Sequence, residues 1–409
     1  MKITIITHNI PNSHSEQASN DPILFFNYLE KKNIKFNLIS IWEPILNTSK
    51  KSKNFQVKYL KKKYKNLNKL NVIDFSLKPF ERFKRFFLRI LSNKVYYFFG
   101  NKKLSNEVLS LINKDEKQII LNFFELPASI FLEKNKKIKV FNYFGIHRKI
   151  SERLRINNLK KNLNLISFLK IINALVYFIK IDYLYKKILN GAHLNFYAAR
   201  DTYEMMKKFK NTRWTGPLSN NYNYPKKKKS KVPIVLMIGA LKSNLMQDSL
   251  SMVAEKAEEL NKIYQKKKFI LRIVGKYKPH ETLQKKLNYP WVVFTGWVKD
   301  ANKEYINATY LFVPNSLKIG TRTKMLEATA TKTCVLTTIQ NIVINFPSFK
   351  NKHDMIIARD MDEFCREFKN LLYDEKFKNK LIRNAFKKYK KKYDPEIIIE
   401  KVFKLIQRA

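Results

Sequence analysis

Short apolar runs recur along the chain and are separated by longer stretches with helical periodicity. We interpret the runs as strands because they are short, rich in β-branched and aromatic residues, and bounded by polar residues. The predicted strands cover residues 2–7, 35–41, 118–123, 139–144, 193–197, 233–239, 269–275, 291–296, 309–314 and 334–338. Amphipathic stretches such as residues 248–263 lie between many of them. This alternation predicts α/β units whose parallel sheets are covered on both faces.

A polar, basic segment divides the chain. It reads N-Y-P-K-K-K-K-S-K-V-P (223–233), is bracketed by prolines and is followed at once by an apolar strand. Such a segment is typical of a linker between domains. The predicted parts are an N-terminal Rossmann-like domain (1–225), a basic linker (226–232), a C-terminal Rossmann-like domain (233–385) and a C-terminal helix that returns to the N-terminal domain (386–409). We expect a helix break at Asp394-Pro395.

The charge balance of the chain is strongly basic. Its 409 residues include 81 Lys and Arg against 33 Asp and Glu, which gives a formal net charge of +48. An anionic partner is therefore expected: nucleic acid, a membrane surface or a phosphorylated substrate. Compositional drift, which would also explain the abundance of Asn, Ile, Phe and Tyr, accounts for part of the charge. The 45% of apolar residues excludes a disordered chain.

Cysteine content and hydropathy bear on the cellular compartment. Cys334 and Cys365 provide no disulfide framework, which fits a reducing environment. The apolar run at the N-terminus is too short and too interrupted for a signal peptide. The longest uncharged apolar run, residues 171–179, is well below the roughly 20 residues that a spanning helix needs. We therefore predict a cytoplasmic protein without a transmembrane segment.

A basic turn follows the predicted strand 309–314. It reads K-I-G-T-R-T-K-M-L-E (318–327) and opens a predicted helix, whose N-terminus can bind an anion. Gly320 allows close approach of the backbone, and Arg322 and Lys324 can pair with phosphates. Glu327 can accept two hydrogen bonds from a vicinal diol such as ribose. The turn suits a nucleotide diphosphate attached to a sugar, although a basic surface turn before a core helix remains the alternative.

The order of the motifs around this turn favours the nucleotide-sugar site over an ordinary surface turn. V-L-M-I-G-A-L-K precedes a helix and L-R-I-V-G-K, which is followed by F-T-G-W-V-K-D, N-A-T-Y-L-F-V-P and G-T-R-T-K-M-L-E-A-T-A. This succession, over about residues 233–345, resembles the C-terminal half of GT-B glycosyltransferases, specifically the retaining glycosyltransferase family four (glycosyl transferases group 1 type). The resemblance implies an α/β GT-B fold in which two Rossmann-like parallel-sheet domains face a cleft.

The same resemblance implies an activity. It points to a metal-independent, retaining hexosyl-type transferase that moves a sugar from a nucleotide-sugar to a glycan or lipid-linked acceptor. Synthesis of cell-surface polysaccharide or lipopolysaccharide would be its context. No cofactor is implied, since the nucleotide-sugar is itself the donor substrate.

The site residues implied by the resemblance lie mainly in the C-terminal half. Glu327 would contact the donor ribose, and Val298 would lie near the edge of the base. The remaining donor-binding residues would be Gly320, Thr321, Arg322 and Lys324 around the diphosphate and sugar, with Gly239 and Lys242 facing the same cleft. There are two departures from the family pattern. Ile319 stands where many relatives have a further glutamate near the transferred sugar, and T-K-T (331–333) replaces a small residue after the helix.

One candidate lies in the N-terminal half, which matches the family only in style. His147, in F-N-Y-F-G-I-H-R, follows a strand end and a glycine. It resembles the place where some relatives have a His or Asp near the reacting sugar, and so joins Arg322 and Lys324 as a catalytic candidate. A neutral imidazole can hydrogen-bond a sugar hydroxyl. A surface histidine with structural partners remains the alternative.

We predict no metal site. D-M-D (360–362) has the spelling found in metal-dependent glycosyltransferases of another fold, but Asp360 with Glu363 is typical of a capping box that opens a helix. Cys334 and Cys365 stand alone and lack zinc-ligand spacing.

Two further segments bear on the anionic partner. Residues 80–103 and 159–190 mix aromatic and basic side chains at helical spacing. They predict either core helices with lysine-covered outer faces or peripheral association with an anionic membrane surface. A nucleic-acid-binding protein is the rival hypothesis, but the charge is spread along the chain without an aromatic or zinc motif, so no specific nucleic acid is expected. A sugar-nucleotide epimerase or inactive homologue of similar fold also stays open, because Ile319 replaces the first glutamate.

Overall fold

The chain divides into two compact units, each described separately. Unit 1 comprises Met1–Gly216 with Ile399–Ala409, and unit 2 comprises Pro217–Ile398. The sequence placed the return to the first domain at residue 386, whereas the crossing in the structure is at Ile399. The computed structural model describes residues 2–11, 20–43, 50–75, 79–99, 102–112, 116–133, 137–145, 156, 165–219, 230–316, 322–338 and 346–409.

Unit 1 is built on a seven-stranded parallel sheet within its described residues. Its strands are β1 (Lys2–His8), β2 (Phe36–Trp42), β3 (Leu67–Asp74), β4 (Gln118–Phe123), β5 (Ile138–Phe144), β6 (Leu194–Tyr197) and β7 (Thr212–Trp214). They lie in the order β3-β2-β1-β4-β5-β6-β7. Every residue of β2 and β4 is buried, as expected for strands covered on both faces.

Helices cover this sheet. They are α1 (Asn20–Lys31), α2 (Lys50–Lys63), α3 (Pro79–Leu91), α4 (Val95–Phe99), α5 (Lys102–Ser110), α6 (Glu125–Ala128), α7 (Leu165–Asn190) and α8 (Arg200–Met206). Aromatic packing holds α1 in place: the ring centroid of Phe25 lies 5.1 Å from that of Phe123 and 5.5 Å from that of Tyr143. Such edge-to-face pairs add to the free energy gained from burial.

Unit 2 contains a six-stranded parallel sheet in the part of the chain that is described. Its strands are β8 (Ile234–Ile238), β9 (Ile270–Val274), β10 (Val292–Gly296), β11 (Tyr310–Val313), β12 (Cys334–Thr338) and β13 (Ile356–Ala358). The order is β10-β9-β8-β11-β12-β13. The chain therefore leaves β8 towards one side of the sheet and later returns to its other side at β11. Ligands of open α/β sheets bind at the carboxyl ends of the strands that flank such a switch point.

The helices of unit 2 form two layers. They are α9 (Asn244–Glu255), α10 (Ala257–Lys266), α11 (Glu281–Lys286), α12 (Ala301–Asn307), α13 (Thr323–Ala330), α14 (Met361–Tyr373) and α15 (Glu375–Lys392), and α16 (Pro395–Arg408) begins in this unit. One core cluster includes Leu250, Trp291 and Phe368, and another includes Met325 and Tyr389. Because Tyr389 of α15 is buried in unit 2, this helix stays there and only α16 returns to unit 1.

Helix α16 completes the core of unit 1. Ile399, Val402 and Ile406 are buried, and the ring of Phe403 stacks on Tyr28 at 5.2 Å. None of the helices in the described part of the chain is long and apolar enough to span a bilayer.

Candidate functional site

Glycines form the carboxyl edge of the unit 2 sheet next to the switch point. Gly239 follows β8 with φ +156°, and its N–H donates to the carbonyl oxygen of Val274 at 3.0 Å. A Cβ atom on Gly275 would lie 1.7 Å from the carbonyl oxygen of Gly239. The backbones after β8 and β9 are thus too close for a side chain on Gly275, and the end of β8 is left as bare backbone.

Lys324, in the first turn of α13, occupies the space beside this glycine edge. Its Nζ donates to the carbonyl oxygen of Ile238 at 2.7 Å and would lie 3.3 Å from a Cβ atom on Gly239. Burial, and to a smaller extent the positive charge of Arg322, lowers the pKa of Lys324 to about 8, while the charge of Glu327 acts in the opposite direction. The ammonium group therefore titrates near physiological pH at the end of β8.

Arg322 occupies the N-cap position of α13 and is buried. Its Nη2 donates to Oδ1 of Asn315 at 2.8 Å. Asn315 is itself held by two further hydrogen bonds: its N–H donates to Oγ1 of Thr338 at 3.1 Å, and its Nδ2 donates to the carbonyl oxygen of Leu245 at 3.2 Å. The Asn315–Arg322 bond thereby joins the two ends of the loop that connects β11 to α13.

A second contact fixes the start of that loop. Asp248 of α9 accepts hydrogen bonds from the backbone N–H of Ser316 at 2.8 Å and from its hydroxyl at 2.6 Å. The loop is therefore anchored to α9 on one side and to the N-cap of α13 on the other. Gly320 and Thr321 lie between these anchors, outside the described residues, and their predicted roles stay predictions.

Glu327 lies one turn beyond Lys324 on α13 and is buried. Its charge favours the ammonium form of Lys324, so the two groups are electrostatically coupled. Arg322, Lys324 and Glu327 are thus brought together at the N-terminal part of one helix, which also carries partial positive charge. The sequence predicted this grouping, because all three residues lie in the short segment that opens a helix, and Lys324 and Glu327, three positions apart, share a helix face.

The remaining candidates of unit 2 differ in their surroundings. Lys242 is exposed after β8, with its Nζ 5.3 Å from the ring centroid of Tyr277. Val298 is half-buried and packs against the core, whereas the side chain of the preceding Trp297 is 66% exposed. The expected contact of Val298 with the base edge stays a prediction.

Sequence reasoning missed Tyr277. It follows β9 with φ +73°, is 52% exposed, and lies under the ammonium groups of Lys242 and Lys276. An aromatic ring in this position offers a stacking surface beside positive charge. The signal in the sequence was an aromatic residue between lysines directly after a strand–glycine pair, V-G-K-Y-K.

Asp360, in the D-M-D segment that resembles a metal-binding motif, has a structural role. Its carboxylate accepts from the N–H of Glu363 at 2.8 Å and caps α14, as predicted. Within the described ranges, no group of three His, Cys, Asp or Glu side chains is placed to hold a metal ion. His147 lies outside the described residues, so its predicted role stays a prediction.

Comparison with known proteins agrees with this architecture. Residues 232–374 match the family model described as glycosyl transferases group 1. This is the segment whose motifs carried the resemblance, and the match supports its coarser part, a group 1 glycosyltransferase; retention of configuration and the assignment to family four stay predictions. No curated protein matches the chain significantly.

Solved structures similar to the whole chain show its fold. Sucrose-phosphate synthase from Thermosynechococcus elongatus has a TM-score of 0.66 at 13% identity, with 100% of this chain and 98% of that chain covered. A variant of S. aureus TarM in complex with fondaparinux, α-GlcNAc-glycerol and UDP has a TM-score of 0.64 at 11% identity, with 99% of each chain covered. Anabaena HepE in complex with UDP and glucose has a TM-score of 0.61 at 10% identity over 100% of both chains. The predicted α/β GT-B fold class is confirmed.

Proposed function

We propose that the protein is a glycosyltransferase whose nucleotide-sugar donor binds at the carboxyl edge of the unit 2 sheet. The hydrogen bond from Lys324 to the carbonyl oxygen of Ile238, beside the bare backbone of Gly239, carries this proposal, because it holds a positive charge where no side chain would block a phosphate. The first turn of α13 adds partial positive charge at the same edge. The family match over residues 232–374, and the UDP complexes of two proteins with this fold, support it.

The chemical step requires stabilisation of a leaving group. The bond between the anomeric carbon and the phosphate oxygen breaks with both electrons remaining on oxygen, so negative charge grows on the diphosphate. Lys324 and Arg322 stabilise that charge in our proposal, without a metal ion or a cofactor. Glu327 accepts hydrogen bonds from the ribose hydroxyls, and Tyr277 and Lys242 flank the nucleotide.

The finer part of the proposal concerns the acceptor and the stereochemistry. The acceptor hydroxyl attacks the anomeric carbon from the face that the leaving group vacates, so the configuration is retained, and its proton passes to a diphosphate oxygen. We assign the acceptor, a glycan or lipid-linked glycan of cell-surface polysaccharide or lipopolysaccharide synthesis, to unit 1. His147 would hydrogen-bond the transferred sugar.

A panel of nucleotide-sugars in a thermal-shift assay tests donor binding, because a ligand that binds only the folded state raises the melting temperature. The stabilising donor is then incubated with acceptor glycans, and the anomeric configuration of the product is determined by NMR. Lys324→Ala and Glu327→Ala should lose both the thermal shift and the transfer. Unchanged turnover in both variants would refute the assigned site. Epimerised sugar released without transfer would favour the epimerase alternative.

A further inference from the structure

Helix α7 of unit 1 has apolar side chains on opposite faces. Tyr177, Ile181, Leu184 and Ile188 are buried in the core of the unit. At about 100° per residue, a second set of side chains falls on the opposite side of the helix. This exposed set comprises Phe168 (54% exposed), Leu175 (43%), Ile179 (77%) and Tyr183 (44%). A helix that is apolar all round is normally buried, so an uncovered apolar face requires an explanation.

Helix α3 extends this apolar surface. Nη1 of Arg89 donates to Oδ1 of Asn173 at 3.1 Å, which fixes the end of α3 beside α7. From α7, Nζ of Lys180 donates to the carbonyl oxygens of Arg89 at 2.9 Å and Ile90 at 2.7 Å. These bonds give hydrogen-bond partners to carbonyl groups at the end of α3, which lack partners within the helix. They also hold the end of α3, where the side chains of Ile90 (40%) and Leu91 (81%) are exposed, beside the middle of α7.

We name this surface the α3–α7 patch and define it by Ile90, Leu91, Phe168, Leu175, Ile179 and Tyr183. Contiguous exposed apolar surface on a folded protein marks an interaction site more often than an isolated exposed residue does. The patch lies on unit 1, whereas the candidate donor residues Arg322, Lys324 and Glu327 lie on unit 2. A role of this patch in binding therefore does not depend on the proposed function.

The charges around the patch identify the class of partner. Nζ of Lys187 lies 5.0 Å from the ring centroid of Tyr183. Among the described residues, further exposed basic side chains on and beside the two helices are Lys84, Lys94 and Lys186, and Glu81 and Asp182 are exposed acidic ones. Lysines around large apolar side chains suit a bilayer interface, since their stems lie along apolar surface while the ammonium groups reach lipid phosphates.

The net charge favours an anionic membrane over a second copy of the chain as the partner. The formal charge of +48 would make two copies repel each other but attract an anionic surface. We propose that the α3–α7 patch docks the protein on a bilayer that contains anionic phospholipid. The apolar side chains enter the interface and the surrounding lysines bind headgroups, with no helix crossing the membrane.

Vesicle flotation tests this proposal with the full chain. Vesicles of phosphatidylcholine alone are compared with vesicles that also contain phosphatidylglycerol, at low and high salt. Wild-type protein should float with the anionic vesicles, less at high salt, and little with the neutral ones. Ile179→Glu should weaken binding about tenfold or more, because it removes an apolar side chain that enters the bilayer interface and introduces a charge of the wrong sign.

Leu91→Glu is a second variant on the other helix, and Tyr373→Glu is the matched control. Tyr373 is 57% exposed in unit 2, so the control makes the same change in net charge at an apolar surface position away from the patch. It should bind vesicles like wild type, and all three variants should keep the melting temperature of wild type. No flotation of wild type, or equal loss in the patch variants and the control, overturns the proposal. Equal binding to vesicles with and without phosphatidylglycerol overturns the proposal that the lysines bind anionic headgroups. A wild-type dimer that Ile179→Glu dissociates, without vesicle binding, would assign the patch to a second copy instead.

Discussion

Raising the pH through 8 should weaken UDP binding, because Lys324 would lose the charge that faces the diphosphate. Its pKa is lowered to about 8, mainly by burial and then by the charge of Arg322. With that pKa, about nine-tenths of the side chain is protonated at pH 7 and about one-tenth at pH 9. If UDP binds only the ammonium form, its dissociation constant rises about tenfold across this interval, or roughly 1.4 kcal/mol. The terminal phosphate, with a second pKa of about 6, stays dissociated throughout.

Isothermal titration of UDP at pH 7, 8 and 9 measures this effect. Lys324→Arg is the control, because a guanidinium group stays charged over the whole range. We expect a falling affinity for wild type and a nearly flat profile for the variant. Titrations of wild type at pH 9 in buffers of different ionisation enthalpy should also reveal uptake of nearly one proton on binding. A flat wild-type profile, or the same slope in Lys324→Arg, would refute the placement of this ammonium group at the diphosphate.

Three further outcomes are expected. Gly239→Ala should destabilise unit 2 by about 1–2 kcal/mol in urea unfolding, because Gly239 has a positive φ. It should also weaken UDP binding, because the new Cβ would lie 3.3 Å from Nζ of Lys324. Unaltered stability and affinity would contradict both points. Glu327→Gln should move the pH midpoint of UDP affinity below that of wild type, since Glu327 raises the pKa of Lys324; a midpoint that stays in place would show that the two groups are not coupled. Asp354→Ala should cost about 3–5 kcal/mol in urea unfolding, because its buried carboxylate pairs with Lys388. Burial opposes ionisation of Asp354, yet hydrogen bonds hold its pKa below the usual value. This contribution to stability is therefore present above about pH 4 and is lost as the pH falls through the folded pKa. Acid unfolding of wild type and Asp354→Ala at the same pH would contradict it.

The sequence predicted ten of the thirteen strands in the described residues, and two of the three that it missed, β7 and β13, are only three residues long. It missed β3, whose residues Asn68, Lys69 and Asn71 are partly or fully exposed at the edge of the unit 1 sheet. An edge strand has one neighbour and need not be apolar, so its sequence lacks the continuous apolar run. The stretch 248–263 was predicted as one helix, whereas a turn at Lys256 separates α9 from α10.

The candidate site was predictable where its residues share one helix. Arg322, Lys324 and Glu327 lie within six positions of each other, so helix geometry brings them together. Asn315 and Tyr277 were missed because their roles depend on tertiary contacts: one is bonded to Arg322, and the other lies beneath Lys242. The spacing of residues along the chain gives no sign of either contact.

The return of α16 to unit 1 has a consequence for biosynthesis. Phe403 packs on Tyr28, a residue made almost four hundred positions earlier in translation. While the ribosome is still synthesising unit 2, the nascent first unit therefore lacks part of its core and exposes the apolar surface of α1. Unit 2 ends at Ile398, before the segment that returns to unit 1, so it can fold while unit 1 is still incomplete, and unit 1 becomes fully native only after residues 399–409 have been released.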